Sequence, residues 1–209
     1  RAACFDLSAA CTGFLYAMSV ADAYIKAGMY KKVLVIGAEV MSQVVDWKDR
    51  SVCVLFGDGA GAVVLGEDSS GKSIFRLHSD SGSAQALTLG KENAVHMNGR
   101  EIFSFAVRKV PESVKEVLEE SETAKEQVKY FILHQANARM IESIAKRLDV
   151  PVEKFPMNLE THGNTSAASI PVLLDELNRQ NRLIPGDVLI LSGFGGGLSW
   201  GSALLEWHK

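Results

Sequence analysis

Three short segments of this sequence hold residues that could perform chemistry together. They are Ala9-Ala10-Cys11-Thr12-Gly13, His134-Gln135-Ala136-Asn137 and His162-Gly163-Asn164-Thr165-Ser166-Ala167-Ala168-Ser169. A cysteine can hold an acyl group as a thioester, while a histidine and an asparagine can each donate a hydrogen bond to a developing oxyanion or enolate. Those are the parts that a condensation of thioesters needs. Cys11 stands where an apolar helix opens, so unpaired N–H groups and the positive end of the helix dipole are expected to lower its pKa below the free value of ~8.5. His134 closes an apolar strand, at a strand-to-helix turn where side chains project from the sheet's carboxyl edge. Asn164 sits in a glycine-bracketed loop.

The remaining cysteines and histidines have plainer readings. Cys4 and Cys53 read as small buried hydrophobes, and His78, His96 and His208 as hydrogen-bonded structural residues. Three cysteines without a Cys-x-x-Cys spacing predict free thiols rather than a disulfide framework or a zinc site. A strand, not a helix, follows Gly57-Asp58-Gly59-Ala60-Gly61, which therefore reads as a tight turn and not as a dinucleotide loop. Gly195-Gly196-Gly197 lies between two strands, where a backbone without side chains can approach a substrate and donate N–H groups. Asn164-Thr165-Ser166 matches a glycosylation acceptor only formally.

The elements that must position these residues alternate between α and β. Residues 2 to 7 read as a buried strand running into Cys11, and residues 11 to 28 as a helix apolar enough to be internal. Residues 33 to 38 read as a buried strand, 60 to 65 as a third strand, and the polar stretch Glu67 to Lys72 as a boundary. Beyond it come a strand near 73 to 79, a loop, a helix over 102 to 120 kinked at Pro111, and the strand Tyr130 to Leu133. Helices follow over 137 to 148 and 167 to 180, with Pro171 in the first turn of the latter or at a kink. Strands 187 to 192 and 199 to 206 close the chain. Strand, reactive residue and helix thus occur in that order at Cys11 and again at His134, which predicts two related half-domains, 1–66 and 73–209.

Composition is that of a globular protein. The 209 residues are 47% hydrophobic and 22% charged with a formal net charge of −3, enough for one large core or two small ones and no basis for attracting nucleic acid. No apolar run approaches the ~18 residues of a membrane span, and the first residues lack the apolar stretch of a signal peptide, so a cytoplasmic location and no membrane partner are expected.

The quoted segments, together with Phe56-Gly57-Asp58-Gly59-Ala60-Gly61 and Phe194-Gly195-Gly196-Gly197 followed by Trp200-Gly201-Ser202-Ala203, resemble the β-ketoacyl-acyl carrier protein synthase III family, the initiating condensing enzymes of fatty-acid synthesis in the thiolase superfamily. Thiolases would show a second cysteine, and elongating synthases a histidine where Asn164 stands. The resemblance implies an α/β fold of layered αβαβα architecture, with the N-terminal half-domain incomplete because the family places much of that half before its nucleophile. It implies Cys11, His134 and Asn164 as catalytic residues and the backbone N–H groups of Cys11 and Gly196 as the oxyanion hole. Met41, Phe56, Leu87, Val95 and Phe194 would line the acyl pocket. Arg50, Gly99, Phe103 and Asn137 would contact coenzyme A or its pantetheine arm. The implied partners are acyl-coenzyme A (acyl-CoA), malonyl-acyl carrier protein and a second copy in a homodimer, with no metal and no cofactor beyond the coenzyme A thioester.

At 100° per residue, Arg139, Lys146 and Arg147 fall on one side of the helix after His134, and Met140, Ile141, Ile144 and Leu148 on the other. The basic side suits an acidic carrier protein, although Ser104 stands where the family often has lysine. Two other readings fit the same residues: a related condensing enzyme for polyketide or signal synthesis that uses CoA esters throughout, and a non-catalytic fragment. The buried strand at 2 to 7 and the apolar helix behind it need cover that residues 29 to 66 do not supply, so these 209 residues alone are expected to aggregate.

Overall fold

A computed structural model of the chain describes residues 2–67 and 72–208. Cys11 lies in a single 3-10 turn, Ala10–Thr12, which leads into helix α1, Gly13–Lys26. Two antiparallel strands follow, β1 (Lys32–Glu39) and β2 (Gly59–Gly66), paired along their whole length. Strand β3 (Ser73–Ser79) comes next, then a short hairpin of β4 (Leu87–Leu89) and β5 (Val95–Met97), and helix α2 (Gly99–Glu120). Strand β6 (Val128–Leu133) leads through His134 to helix α3 (Ala138–Leu148). One short turn of helix, α4 (Leu159–His162), precedes helix α5 (Ser169–Arg179), and strands β7 (Val188–Gly195) and β8 (Ser199–Glu206) complete the chain.

The four-stranded sheet runs in the order β3-β8-β7-β6, with β6 and β7 parallel and the other pairs antiparallel. Because strand side chains alternate between faces, Phe131, Leu133, Ile190 and Leu204 pack with α2 and α3, whereas Ile132, Leu189, Leu191 and Ala203 pack with α1 and α5. The second cluster also takes Val35 of β1, with Val33, Val63 and Leu65 against it, so α1 and α5 lie between two sheets. The described residues therefore form four successive layers, α, β, α and β. On the far side of β1–β2, Leu34, Ile36 and Val64 are exposed.

Most element types match the sequence reading, with several corrections. Residues 2 to 7 form no strand and are largely exposed, Cys4 included, because no described strand pairs with them and a lone extended segment cannot satisfy its backbone in a core. The strand at 33 to 38 exists but is half-buried, one side facing α1 and α5 and the other facing outward. Cys53 is likewise only partly covered. Gly57 and Asp58 form no tight turn: Phe56 makes a parallel bridge to Asn164, and the Gly57 N–H donates to Asn164 O at 3.0 Å. The loop expected after β3 contains the hairpin β4–β5.

Helix α2 starts three residues before the expected position, where the Asn98 side chain accepts from Glu101 N–H. Pro111 stands inside this helix. Pro171 occupies the first turn of α5, where the missing N–H costs no helical bond. Of the polar boundary, residues 68 to 71 lie outside the described residues. No helix among the described residues is long and apolar enough to cross a membrane.

Candidate active site

The three segments meet where α1, the end of β6 and the loop before α5 converge. Ala10 has φ 46°, an unusual value for a residue with a side chain, and the turn it starts presents Cys11 at the head of α1. The end of β7 lies directly against Cys11. A Cβ on Gly195 would stand 2.7 Å from Cys11 Cβ and 3.0 Å from Sγ, so only glycine allows this approach.

His134 extends the β6–β7 pairing, its N–H donating to Ser192 O at 2.7 Å. Its buried ring meets Phe194 edge-on, with centroids 5.3 Å apart, and its Nδ1 lies 2.8 Å from Ser169 Oγ. Next to it Gln135 is fully buried; its Nε2 donates to Leu133 O and its Oε1 accepts from Asn158 N–H, which ties the strand end to the segment before α4.

Asn164 is held by its own backbone: its N–H donates to Leu55 O at 2.8 Å, and its carbonyl accepts from Gly57. Gly57 must be glycine, since a Cβ there would lie 2.0 Å from His162 O. The loop is anchored at its other end by Glu176 of α5, which takes His162 Nε2 at 2.5 Å and Asn158 Nδ2 at 2.9 Å. Asn164 Oδ1 accepts from Ser166 N–H at 2.9 Å, so Nδ2 is the group left to donate.

Burial sets the electrostatics. Desolvation pushes the Cys11 thiol above its ordinary pKa, and the Glu39 carboxylate adds to the rise, while the Ser166 side chain and the backbone N–H groups of Cys11 and Gly196 oppose it. The lowered thiol pKa expected from a helix start is therefore corrected: loss of water and a nearby negative charge outweigh the local donors. Burial also pushes His134 down to about 4, opposed by a hydrogen bond with the Ser166 backbone, so the imidazole is neutral near pH 7.

One cleft of about 1340 Å³ is lined by Cys11, His134 and Asn164 together with Met41, Phe56, Leu87, Val95 and Phe194. Gly99, Phe103, Asn137 and Gly196 line it as well. Arg50 does not; it is exposed on the loop after β1. Asn137 caps α3, its Oδ1 accepting from Arg139 N–H. Arg139, Lys146 and Arg147 are exposed on α3, and Met140, Ile141, Ile144 and Leu148 are buried, as the periodicity predicts. His78 and His96 pair with Glu116 and Glu92, in keeping with structural roles.

Sequence reasoning missed several residues that touch the reactive groups. Ser166 Oγ lies 3.6 Å from Cys11 Sγ and 3.2 Å from Glu39 Oε1, and Ser169 contacts His134. Both serines stand in the His-Gly-Asn-Thr-Ser-Ala-Ala-Ser segment, and their place beside Asn164 with only small residues between them is the available signal. Nothing in the sequence marks Glu39, at the end of an apolar strand. No group of three or more His, Cys, Asp or Glu suited to a metal ion occurs among the described residues.

Known proteins share both sequence and architecture. Residues 5–96 match the family 3-oxoacyl-[acyl-carrier-protein (ACP)] synthase III, and residues 118–207 match the C-terminal part of 3-oxoacyl-[acyl-carrier-protein (ACP)] synthase III. The chain is 48% identical over 209 residues to β-ketoacyl-[acyl-carrier-protein] synthase III 1 of Bacillus cereus, covering all of this chain and 67% of that protein. It is 46% identical over 224 aligned positions to β-ketoacyl-[acyl-carrier-protein] synthase III of Clostridium acetobutylicum, covering all of this chain and 69% of that one. The crystal structure of 3-oxoacyl-[acyl-carrier-protein] synthase III from Aquifex aeolicus superimposes with a TM-score of 0.95 at 46% identity, over 97% of this chain and 67% of that structure.

Proposed function

Because the chain belongs to the 3-oxoacyl-[acyl-carrier-protein] synthase III family, the initiating condensing enzymes of fatty-acid biosynthesis, we propose that its cleft joins a short acyl-CoA to malonyl-acyl carrier protein through an acyl-Cys11 intermediate. The observation that carries the assignment of residues is the convergence of Cys11, His134 and Asn164 on one cleft with the Gly195 backbone against the thiol.

The Cys11 sulfur attacks the acyl carbonyl, and the resulting oxyanion takes hydrogen bonds from the Cys11 and Gly196 N–H groups, both of which already act on Sγ. The tetrahedral intermediate collapses, the carbon–sulfur bond to coenzyme A breaks, and coenzyme A leaves with the thiol proton. Malonyl-acyl carrier protein then enters and loses carbon dioxide. The enolate oxygen that this creates is stabilised by His134 and by Asn164 Nδ2, two neutral donors. The enolate carbon attacks the acyl-Cys11 carbonyl, and Sγ departs as β-ketoacyl-carrier protein forms.

Met41, Phe56, Leu87, Val95 and Phe194 enclose the acyl chain, and Gly99, Phe103 and Asn137 accept the pantetheine arm. Arg50, outside the cleft, contacts the coenzyme A nucleotide, and the basic side of α3 receives the carrier protein. Decarboxylation supplies the nucleophile and the thioester supplies the electrophile, so the reaction draws on no metal or redox cofactor. The half-domains 1–66 and 73–209, a homodimer and a cytoplasmic location complete this reading.

Incubation of the protein with acetyl-CoA followed by mass spectrometry of Cys11 tests it. An acetyl adduct that Cys11→Ala abolishes is expected; acylation persisting at Cys4 or Cys53 would remove the assignment. His134→Ala and Asn164→Ala should keep self-acylation and slow condensation by roughly 100-fold to 1000-fold, the usual cost of one lost oxyanion donor.

A further inference from the structure

Two hydroxyl groups with no place in the mechanism so far link two carbonyls, those of Ala9 and Gly196, that flank the two backbone donors around Cys11. Thr12, fully buried, has its Oγ1 2.7 Å from Ala9 O and 2.8 Å from Ser199 Oγ. Ser199 Oγ in turn lies 2.8 Å from Gly196 O. A chain of four oxygens therefore runs from the turn that presents Cys11 to the peptide that follows Gly196, bridging segments 187 residues apart in sequence. It holds two hydroxyl protons for three links, so at least one link is without a proton at any moment, and loss of either hydroxyl breaks the connection.

Gly196 needs such a tie. It sits among three consecutive glycines, has no side chain of its own to pack, and lies at the point where β7 ends. An oxyanion hole works only if its donors lie about 2.7 to 3.1 Å from the oxyanion before the reaction begins. The Cys11 N–H is fixed by the 3-10 turn that Thr12 closes through its own N–H to Ala9 O at 3.1 Å. Gly196 O accepts from Ser199 Oγ, which pins the peptide that follows Gly196 and so restricts rotation about that residue, whose N–H lies in the peptide before it.

We propose that Thr12 and Ser199 are the positioning pair of the oxyanion hole, holding the Cys11 and Gly196 amides at the separation that a tetrahedral oxyanion requires. This rests on the reading of Cys11 as the acylated nucleophile. Neither hydroxyl touches substrate; both act through the backbone. Their effect falls on acyl transfer, which passes through an oxyanion; alkylation of the thiol feels the same two N–H groups only through the thiol pKa, so its rate once the thiol is fully ionised is spared.

The test compares two reactions of the same sulfur in the whole protein: self-acylation by acetyl-CoA, and alkylation by iodoacetamide read as its maximal rate at pH values where the thiol is fully ionised. Ser199→Ala and Thr12→Val should each slow acylation by about 10-fold or more, less than outright loss of a donor, while alkylation stays within about twofold of wild type. Ser199→Thr and Thr12→Ser, which keep a hydroxyl, should recover most of the rate. The double variant should be little slower than either single, since one broken link already opens the chain. Acylation at the wild-type rate in both single variants, or alkylation falling in parallel with acylation, would overturn the pair's role while leaving Cys11 as nucleophile. A wild-type protein that takes no acetyl group would overturn both.

Discussion

Ser169 Oγ stands 2.8 Å from His134 Nδ1 and 2.9 Å from Ser166 O, so one hydroxyl proton faces two acceptors. Given to Ser166 O, it leaves Nδ1 to carry the imidazole proton, and Nε2 becomes a base. Given to Nδ1, it places the imidazole proton on Nε2, the form that can donate to an enolate. His134 is neutral near pH 7, so the rotation of this hydroxyl selects its tautomer.

Ser169→Ala removes the hydroxyl that can donate to Nδ1 and so disfavours the form with its proton on Nε2. Decarboxylation of malonyl thioester should fall by about 10-fold or more while self-acylation by acetyl-CoA changes little. Equal losses in both half-reactions would show that the serine only supports the fold.

Glu39 and Ser166 act on Cys11 in opposite directions. Glu39→Gln removes the negative charge and should move the pH dependence of Cys11 alkylation to lower pH, speeding the reaction near neutrality. Ser166→Ala removes a donor to the sulfur and should move it higher. The two variants shifting the same way would contradict the electrostatic account.

Burial of His134 makes stability pH-dependent. Its pKa falls from 6.5 when unfolded to about 4 when folded, so the contribution is fully present above 6.5 and is lost as pH falls toward 4, where the unfolded chain alone has taken the proton. Roughly 3 kcal/mol should disappear over that window. Denaturant unfolding at pH 7 and pH 4.5 should show a larger loss for wild type than for His134→Gln; identical losses would mean that the histidine is not the titrating group.

Arg139 and Lys146 project from the exposed side of α3, whose other side is core. Replacing both with glutamate should raise the apparent KM for malonyl-acyl carrier protein by about 10-fold at low salt and leave acylation by acetyl-CoA unchanged. Added salt should narrow the difference between wild type and variant. Loss on both substrates would point to damage in the helix.

Helix α3 shows why parts of this protein can be read without coordinates. Its apolar positions recur at helical spacing and its Asn137 cap precedes them, two local signals that need no partner. The same holds for β6, β7 and β8, whose apolar runs are buried on both faces. Residues 2 to 7 have an equally apolar pattern and form no strand, because a strand exists only where another chain segment offers its N–H and C=O groups. Periodicity describes a segment's preference and not its neighbour.

The sequence by itself determined the alternating α/β order, the three candidate segments and their resemblance to a condensing-enzyme family, since each is carried by residue type and local spacing. Tertiary structure alone decided which groups surround the sulfur and the imidazole. Glu39 beside Cys11, Ser169 against His134, and Ser199 linked to Thr12 are contacts between residues far apart in the chain. It also reversed the expected shift of the Cys11 pKa. A helix start is visible in sequence, whereas the loss of water that outweighs it arises only when α1, β7 and the loop before α5 close around the thiol.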